Sequence, residues 1–479
     1  MLGPARRTIA LMLITLGARA GAYTVPYEGW MGAYIGDSKV GYLSLKIDPT
    51  ELDGVAGYRI ASVLNNRLRI LGVELTQVVT TIVVTDKDYK PRVEDLTMTS
   101  GGRTTRTRAT FRQDSVECVI SAGSGVSTKS VPIPEGANLV GDALFAISSA
   151  SPEIGGEYLM HYFNPLTLAI EELKVRVERR ERLTVGGKDY DTLVLGGSTP
   201  MGAMTVWQDE SGDILQVDGV MGIRMVRETR EQAVAGVGEG SAEDFAVLTS
   251  VKPNKAIPSP RTVRELDIVL GGVGGDEMLI NDSRQKARRV QGSDNAVRFR
   301  ISAVDFDASA SAVLPVDRDG FAEYLSVTPY LDHDVSAVRE LAREIAGDET
   351  NAYEICSRIR AWLHTNLRTR ADIGITRSAS DVLKSNEGVC RDYAILFAAL
   401  ARAAGVPSRI AAGLMYTDGA FFYHAWTECW TGEWVAFDAT LPTDFVDGTH
   451  VKLAEGDATA MFGLARVIGS LSVDVKEFK

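Results

Sequence analysis

One cysteine, one histidine and one aspartate, at positions 390, 424 and 438, have the types and local settings for acyl chemistry at a thiolate. Cys390 follows Gly388-Val389 and opens the apolar run CRDYAILFAALARAAG. Ile395, Leu396, Ala399 and Ala403 fall at helical spacing, with Gly405 placed to cap the helix and Pro407 to stop it. A thiol on the first turn of a helix feels the positive end of the peptide dipoles, which favours the thiolate. Gly388 leaves room for a substrate backbone to approach the sulfur. Asp392, in the same turn, repels the thiolate, so a cationic partner must supply much of its stabilisation.

The partner comes from two alternating runs, Phe421–Trp430 (FFYHAWTECW) and Trp434–Thr440 (WVAFDAT), with Thr431-Gly432-Glu433 between them as a turn. If Trp430 pairs with Trp434, Asp438 lies opposite Trp426, and His424 shares a sheet face with Asp438 as a diagonal neighbour. A slip of one residue would put the two on opposite faces. Nucleophile, base and orienter are then all present, and Cys429 falls on the face opposite His424, a packing position.

The segments GVCRDYAILFAALARAAGVPSR, YHAW and WVAFDAT together resemble the transglutaminase-like, papain-related thiol core, which carries Cys, His and Asp in this order. The resemblance covers about the last third of the chain. Ala439 stands where that family often has proline, a change that touches no catalytic group. The resemblance implies an α+β fold, with helices packed on an antiparallel sheet. It also implies Cys390 as nucleophile, His424 as general base, Asp438 as orienter, a thioester intermediate and a peptide or protein substrate. Members of this kind often resemble peptidases or amidases, so thiol-dependent acyl hydrolysis is the expected reaction. Acyl transfer from a glutamine donor to an amine uses the same three groups, and a non-catalytic envelope binding protein is the reading left if Cys390 is inert. No cofactor is expected for this chemistry. No metal is expected either: the sequence holds no H-E-x-x-H, no zinc-spaced cysteine pair and no EF-hand loop.

The elements that must position these groups follow from the rest of the chain. At 479 residues it is long enough for two to four domains. A formal net charge of −12 argues against nucleic-acid partners and against adhesion to anionic lipid. Residues 1–20 read as an export signal, with Arg6 and Arg7 before the short apolar core Thr8–Leu16 and Ala18-Arg19-Ala20 as a cleavage site. That core is too short to span a bilayer, and no later run is a transmembrane segment, so an exported chain, periplasmic or secreted, is expected. Residues 21–232 read as an antiparallel β meander forming one curved sheet or half-barrel, with brief helical spacing only near Asp142–Ala150. The basic stretch Lys174–Arg182 is interleaved with valine and reads as a solvated strand face.

Small residues and prolines mark 233–261 as a linker, and 262–330 reads as a small β-domain with runs at Val297–Val304 and Ala312–Val316. Gly271–Gly275 reads as a turn rather than a phosphate loop. The catalytic domain is placed at 331–479. It begins with two amphipathic helices, Asp334–Gly347 and Thr350–Asn366, the second with Cys356 beside its buried stripe. His450–Asp457 and the alternating end SLSVDVKEF are expected to complete the hairpin's sheet. His450 is the second histidine considered. It lacks an aromatic strand and a nearby carboxylate in the sequence, and it is set aside in favour of His424.

Overall fold

The computed structural model describes residues 25–70, 73–100, 102–122, 125–141, 153–199, 202–219, 222–237, 244–370 and 377–479. The expected export signal and the helical spacing near Asp142–Ala150 lie outside the described residues, the latter but for Gly141 beside it.

Residues 27–228 form one antiparallel sheet of fourteen strands. Its centre is the pairing of the first strand, Tyr27–Ile35, with the last, Ile223–Glu228. From there the chain walks outward in hairpins to two edge strands, Gly125–Pro132 and Glu157–Asn164. The edges meet through side chains: Ala109, Val116, Cys118 and Val131 from one side share a cluster with Phe163 and Leu168 from the other. The sheet therefore curls on itself, as right-handed strand twist favours. No ladder closes it among the described residues. In the strand Ala169–Val185, Leu173, Val175 and Val177 are buried, while Arg179 pairs outward with Glu178 and Glu181. That alternation is what puts the basic stretch in solvent.

The described parts of the segment read as a linker are fastened at several points. A short helix, Arg230–Val234, begins with a capping box between Thr229 and Gln232. Val251 bridges to Phe421, and Asn254 binds Asp474 and Val475. Arg261, in the turn Pro260–Thr262, reaches Asp447 at 2.7 Å.

Beyond it lie two four-stranded sheets. In the first, Gln285–Arg289, Ala296–Ser302 and Glu265–Gly271 are joined by the C-terminal strand Ser472–Phe478. In the second the order is Trp434–Phe437, Ala420–Trp430, Ser408–Thr417, Val451–Gly456. The C-terminal strand thus completes a different sheet from the one expected. Its alternation, with Val473 and Val475 inward, shows that it has a buried face but cannot say which sheet owns it. The two sheets share one core, where Leu266, Ile268 and Phe299 meet Leu414, Phe421 and Leu453. Residues 312–316 also differ from expectation. They form no strand; Ala312 instead ties the hairpin turn at Thr431 to the start of the helix Ala352–Asn366. The other face of the second sheet carries the helices.

Ser336–Ala346 ends at Gly347 with φ +58, a conformation that glycine reaches without steric cost. Ala352–Asn366 starts at Asn351, whose side chain accepts from the Glu354 N–H. The helix Cys390–Ala403 lies between these helices and the sheet and is buried from Asp392 to Arg402 on every side. A helix apolar all round belongs inside, and that is where its sequence has put it.

Candidate active site

The local chain before Cys390 is held rigidly. Arg368 and Thr369 pair in parallel with Glu387 and Gly388, and the Asp392 carboxylate accepts the Val389 N–H at 3.0 Å. Asp392 is fully buried and paired with Arg377, itself 3% exposed, at 3.2 Å. Its charge is therefore neutralised locally and spent on the helix start, which weakens the expected repulsion of the thiolate. Gly388 also has a different use from the one expected. An added Cβ there would sit 2.6 Å from the Asp392 Cβ, so the missing side chain serves the Asp392–Arg377 packing rather than a substrate.

Cys390 occupies the first turn of its helix and is partly exposed. The hairpin register runs from Trp430–Trp434 to Thr427–Phe437, and Asp438 is the first residue past the ladder. His424 Nε2 lies 2.7 Å from Asp438 Oδ2, with both side chains buried. This leaves Nδ1 as the ring nitrogen not engaged by Asp438, and the imidazole and the Cys390 thiol are close enough to shift each other's pKa. Burial pushes the thiol pKa up, but the His424 charge and hydrogen bond, with help from the Ala425 backbone, bring it below its ordinary value. Burial works against the His424 cation too, yet the charges of Asp438 and Cys390 raise its pKa to about 10. For Asp438, burial is outweighed by His424 and then by His450, which hold the carboxyl well below the usual range. The shifts of thiol and imidazole run in the directions that favour charge on both, with the carboxyl held ionised behind them.

A local motif explains why Asp438 can do this. In Asp438-Ala439-Thr440, Oδ1 accepts the Thr440 N–H at 2.8 Å and its hydroxyl at 2.6 Å. One oxygen is thus pinned by an Asx turn, and Oδ2 is left for imidazole. Asp447-Gly448-Thr449 repeats the device, with 2.8 and 2.6 Å contacts. This second motif precedes His450, whose Nε2 lies 3.2 Å from Asp438 Oδ2 and whose Nδ1 lies 3.3 Å from Asp447 Oδ1. The expectation that His450 has no nearby carboxylate does not hold: it has two, one of them shared with His424. The repeated D-x-T was the available signal. What hid the contact is a β-bulge between Ala412 and Gly413 on the neighbouring strand, which shifts the register of Val451–Gly456. There a Cβ on Gly413 would lie 1.9 Å from the Val451 carbonyl oxygen, so only glycine lets that strand approach.

His424, Asp438 and His450 present three metal-type donor atoms within 4.8 Å of one another, each already hydrogen-bonded within the group. Asp282, Glu428 and Glu455 do the same, but the Lys452 ammonium is the cation among them, at 2.5–2.7 Å. Cys429 and Cys356 are fully buried and touch each other in the helix–sheet core.

With this geometry in view, residues 339–439 match the model of the transglutaminase-like superfamily. This segment is a transglutaminase-like domain. The match ends one residue after Asp438, so the transglutaminase-like segment contains Cys390, His424 and Asp438 but not Asp447, His450 or Arg261. Sequence relatives include an uncharacterised Mycobacterium leprae protein, 26% identical over 174 residues, covering 33% of this chain and 60% of that one. Another is an uncharacterised Haemophilus influenzae protein, 28% identical over 155 residues, covering 28% and 42%. The chain spans about half the length of the curated relatives it matches. Among solved structures, similarity extends to a candidate cysteine protease from Cytophaga hutchinsonii, at 20% identity, 45% and 86% coverage and a TM-score of 0.31. It also extends to the periplasmic domain of TgpA from Pseudomonas aeruginosa, at 16% identity, 41% and 92% coverage and a TM-score of 0.28. Among the described residues, no helix is long and apolar enough to cross a membrane.

Proposed function

We propose that this protein is a thiol-dependent acyl hydrolase, a peptidase or amidase, with Cys390 as nucleophile, His424 as acid and base, and Asp438 as orienter. The observation that carries this reading is the continuous contact from the Cys390 thiol through His424 to Asp438, with the thiol pKa lowered and the imidazole pKa raised. In this reading the Cys390 thiolate adds to the acyl carbon, and the oxyanion is met by the Cys390 N–H at the helix start. The C–N bond then breaks, and the leaving amine takes the proton from His424 Nδ1. Water attacks the thioester while His424 accepts its proton. The C–S bond breaks, releasing a carboxylic acid and restoring the thiolate–imidazolium pair. The substrate is a peptide or protein amide, and the chain works outside the cytoplasm, after removal of residues 1–20.

The test is a thiol-directed activity probe on the full chain, followed by a peptide-library digest and an amine-incorporation assay. The expected result is single labelling at Cys390, lost in Cys390→Ala, with release of carboxyl products. Amine incorporation in place of hydrolysis would make it an acyl transferase. Absence of Cys390 labelling would remove the enzymatic reading.

A further inference from the structure

Behind Asp438 the alternation of charge continues. His450 is 1% exposed, with a carboxylate on each ring nitrogen: Asp438 Oδ2 at 3.2 Å and Asp447 Oδ1 at 3.3 Å. An imidazole donates to both only when it carries both protons. Asp447, fully buried, is held in turn by Arg261 at 2.7 Å, and Arg284 donates to its backbone carbonyl at 3.0 Å. The Trp426 ring stands edge-on to His450 at 5.3 Å, and the His424 ring lies 5.6 Å away. The groups facing His450 are therefore Asp438, Asp447 and His424, with Cys390 beyond His424 and Arg261 beyond Asp447. Asp438 and His424 alone would form a working pair. The extra histidine and aspartate are buried at a cost in desolvation that pairing with each other and with the partly exposed Arg261 offsets.

We propose that His450, braced by Asp447 and Arg261, is a positioning residue for the reaction proposed above. By donating to Asp438 Oδ2 it fixes that oxygen between two imidazoles, which holds the His424 ring with Nε2 on Asp438 and Nδ1 on the thiol. The inference rests on the Cys390–His424–Asp438 reading and extends it to residues outside the matched segment, so that an arginine in the connector to the large sheet completes the site.

Iodoacetamide alkylation of Cys390, followed by peptide mass spectrometry across pH on the full chain, tests this without a known substrate. With His450→Leu, Asp438 Oδ2 loses its second donor while Oδ1 stays on Thr440, His424 is held less well against the thiol, and the midpoint of the alkylation profile moves up by about half to one pH unit. His450→Gln, whose amide N–H can still reach Oδ2, recovers part of that shift. On a peptide substrate found by library screening, His450→Leu lowers kcat about 10–100-fold with KM little changed, by analogy with the loss of an outer-shell partner of a metal-ligating histidine. If circular dichroism shows that His450→Leu is misfolded, the isosteric Asp447→Asn carries the test, with a smaller shift in the same direction. A profile identical to wild type in the folded variant overturns the proposal. The underlying reading fails separately, if His424→Ala leaves the wild-type profile unchanged.

Discussion

Two buried charge networks lie on the same strand and teach different things. His424 and Glu428 are four residues apart on Ala420–Trp430, about 13 Å at strand rise, with the indole of Trp426 between them on the same face. Around Glu428, Arg409 contacts at 2.8 Å and Lys452 at 2.7 Å, while Lys452 also binds Asp282 and Glu455. Arg409, Glu428, Lys452 and Glu455 are long side chains of the second sheet, Asp282 comes from the loop before Gln285–Arg289, and Lys452 and Arg409 each sit on carboxylates. Around His424 the partners are short, each imidazole lies against carboxylate, and the chain of contacts has one end open at the partly exposed Cys390. The first network is closed and joins two sheets. The second ends on the partly exposed Cys390.

The comparison is tested most severely by Asp438→Asn. Turnover should fall about 10²–10⁴-fold, because an amide favours the wrong tautomer of His424, while the fold survives. Steady-state kinetics and circular dichroism on the same sample read both quantities, and near-normal turnover would take Asp438 out of the reaction. Lys452→Met should do the converse. It leaves Asp282 without its cation and Glu428 and Glu455 on Arg409 alone, and costs about 3 kcal/mol in a urea melt, with the Cys390 alkylation profile unchanged. A shifted profile would mean that the two networks are coupled and the contrast is false.

The smallest effect expected is in the pH dependence of stability. His424 is raised from 6.5 to about 10, so its contribution is full below about pH 6.5 and is lost as pH rises through about 10. Asp438 is depressed from 3.8, so its contribution is present above that value and fades on acidification. The gap in Tm between native protein and a His424→Gln, Asp438→Asn double variant should therefore be widest between about pH 4 and 6.5 and narrow on either side. A gap flat with pH would show that the pair stabilises by packing alone.

How much of this was legible in the chain differs from element to element. The short turn Thr431-Gly432-Glu433 determined the hairpin register by setting Trp430 opposite Trp434, since loop length decides which residues pair. That register puts His424 and Asp438 on one face, and the turn at Thr440, past the end of the ladder, completes their contact. The all-round apolar run after Cys390 likewise determined a buried helix with the thiol at its start. Periodicity could not say which sheet the strand Ser472–Phe478 would join, since either offers a buried face. Nor could local pattern place His450: its contact with Asp438 depends on the bulge at Gly413, on the turn at Asp447 and on Arg261 arriving from another part of the chain. Spacing along the chain encodes which groups share an element and a face. Contacts between elements are decided by backbone approach and by burying charge against charge, and those exist only once the sheets are packed.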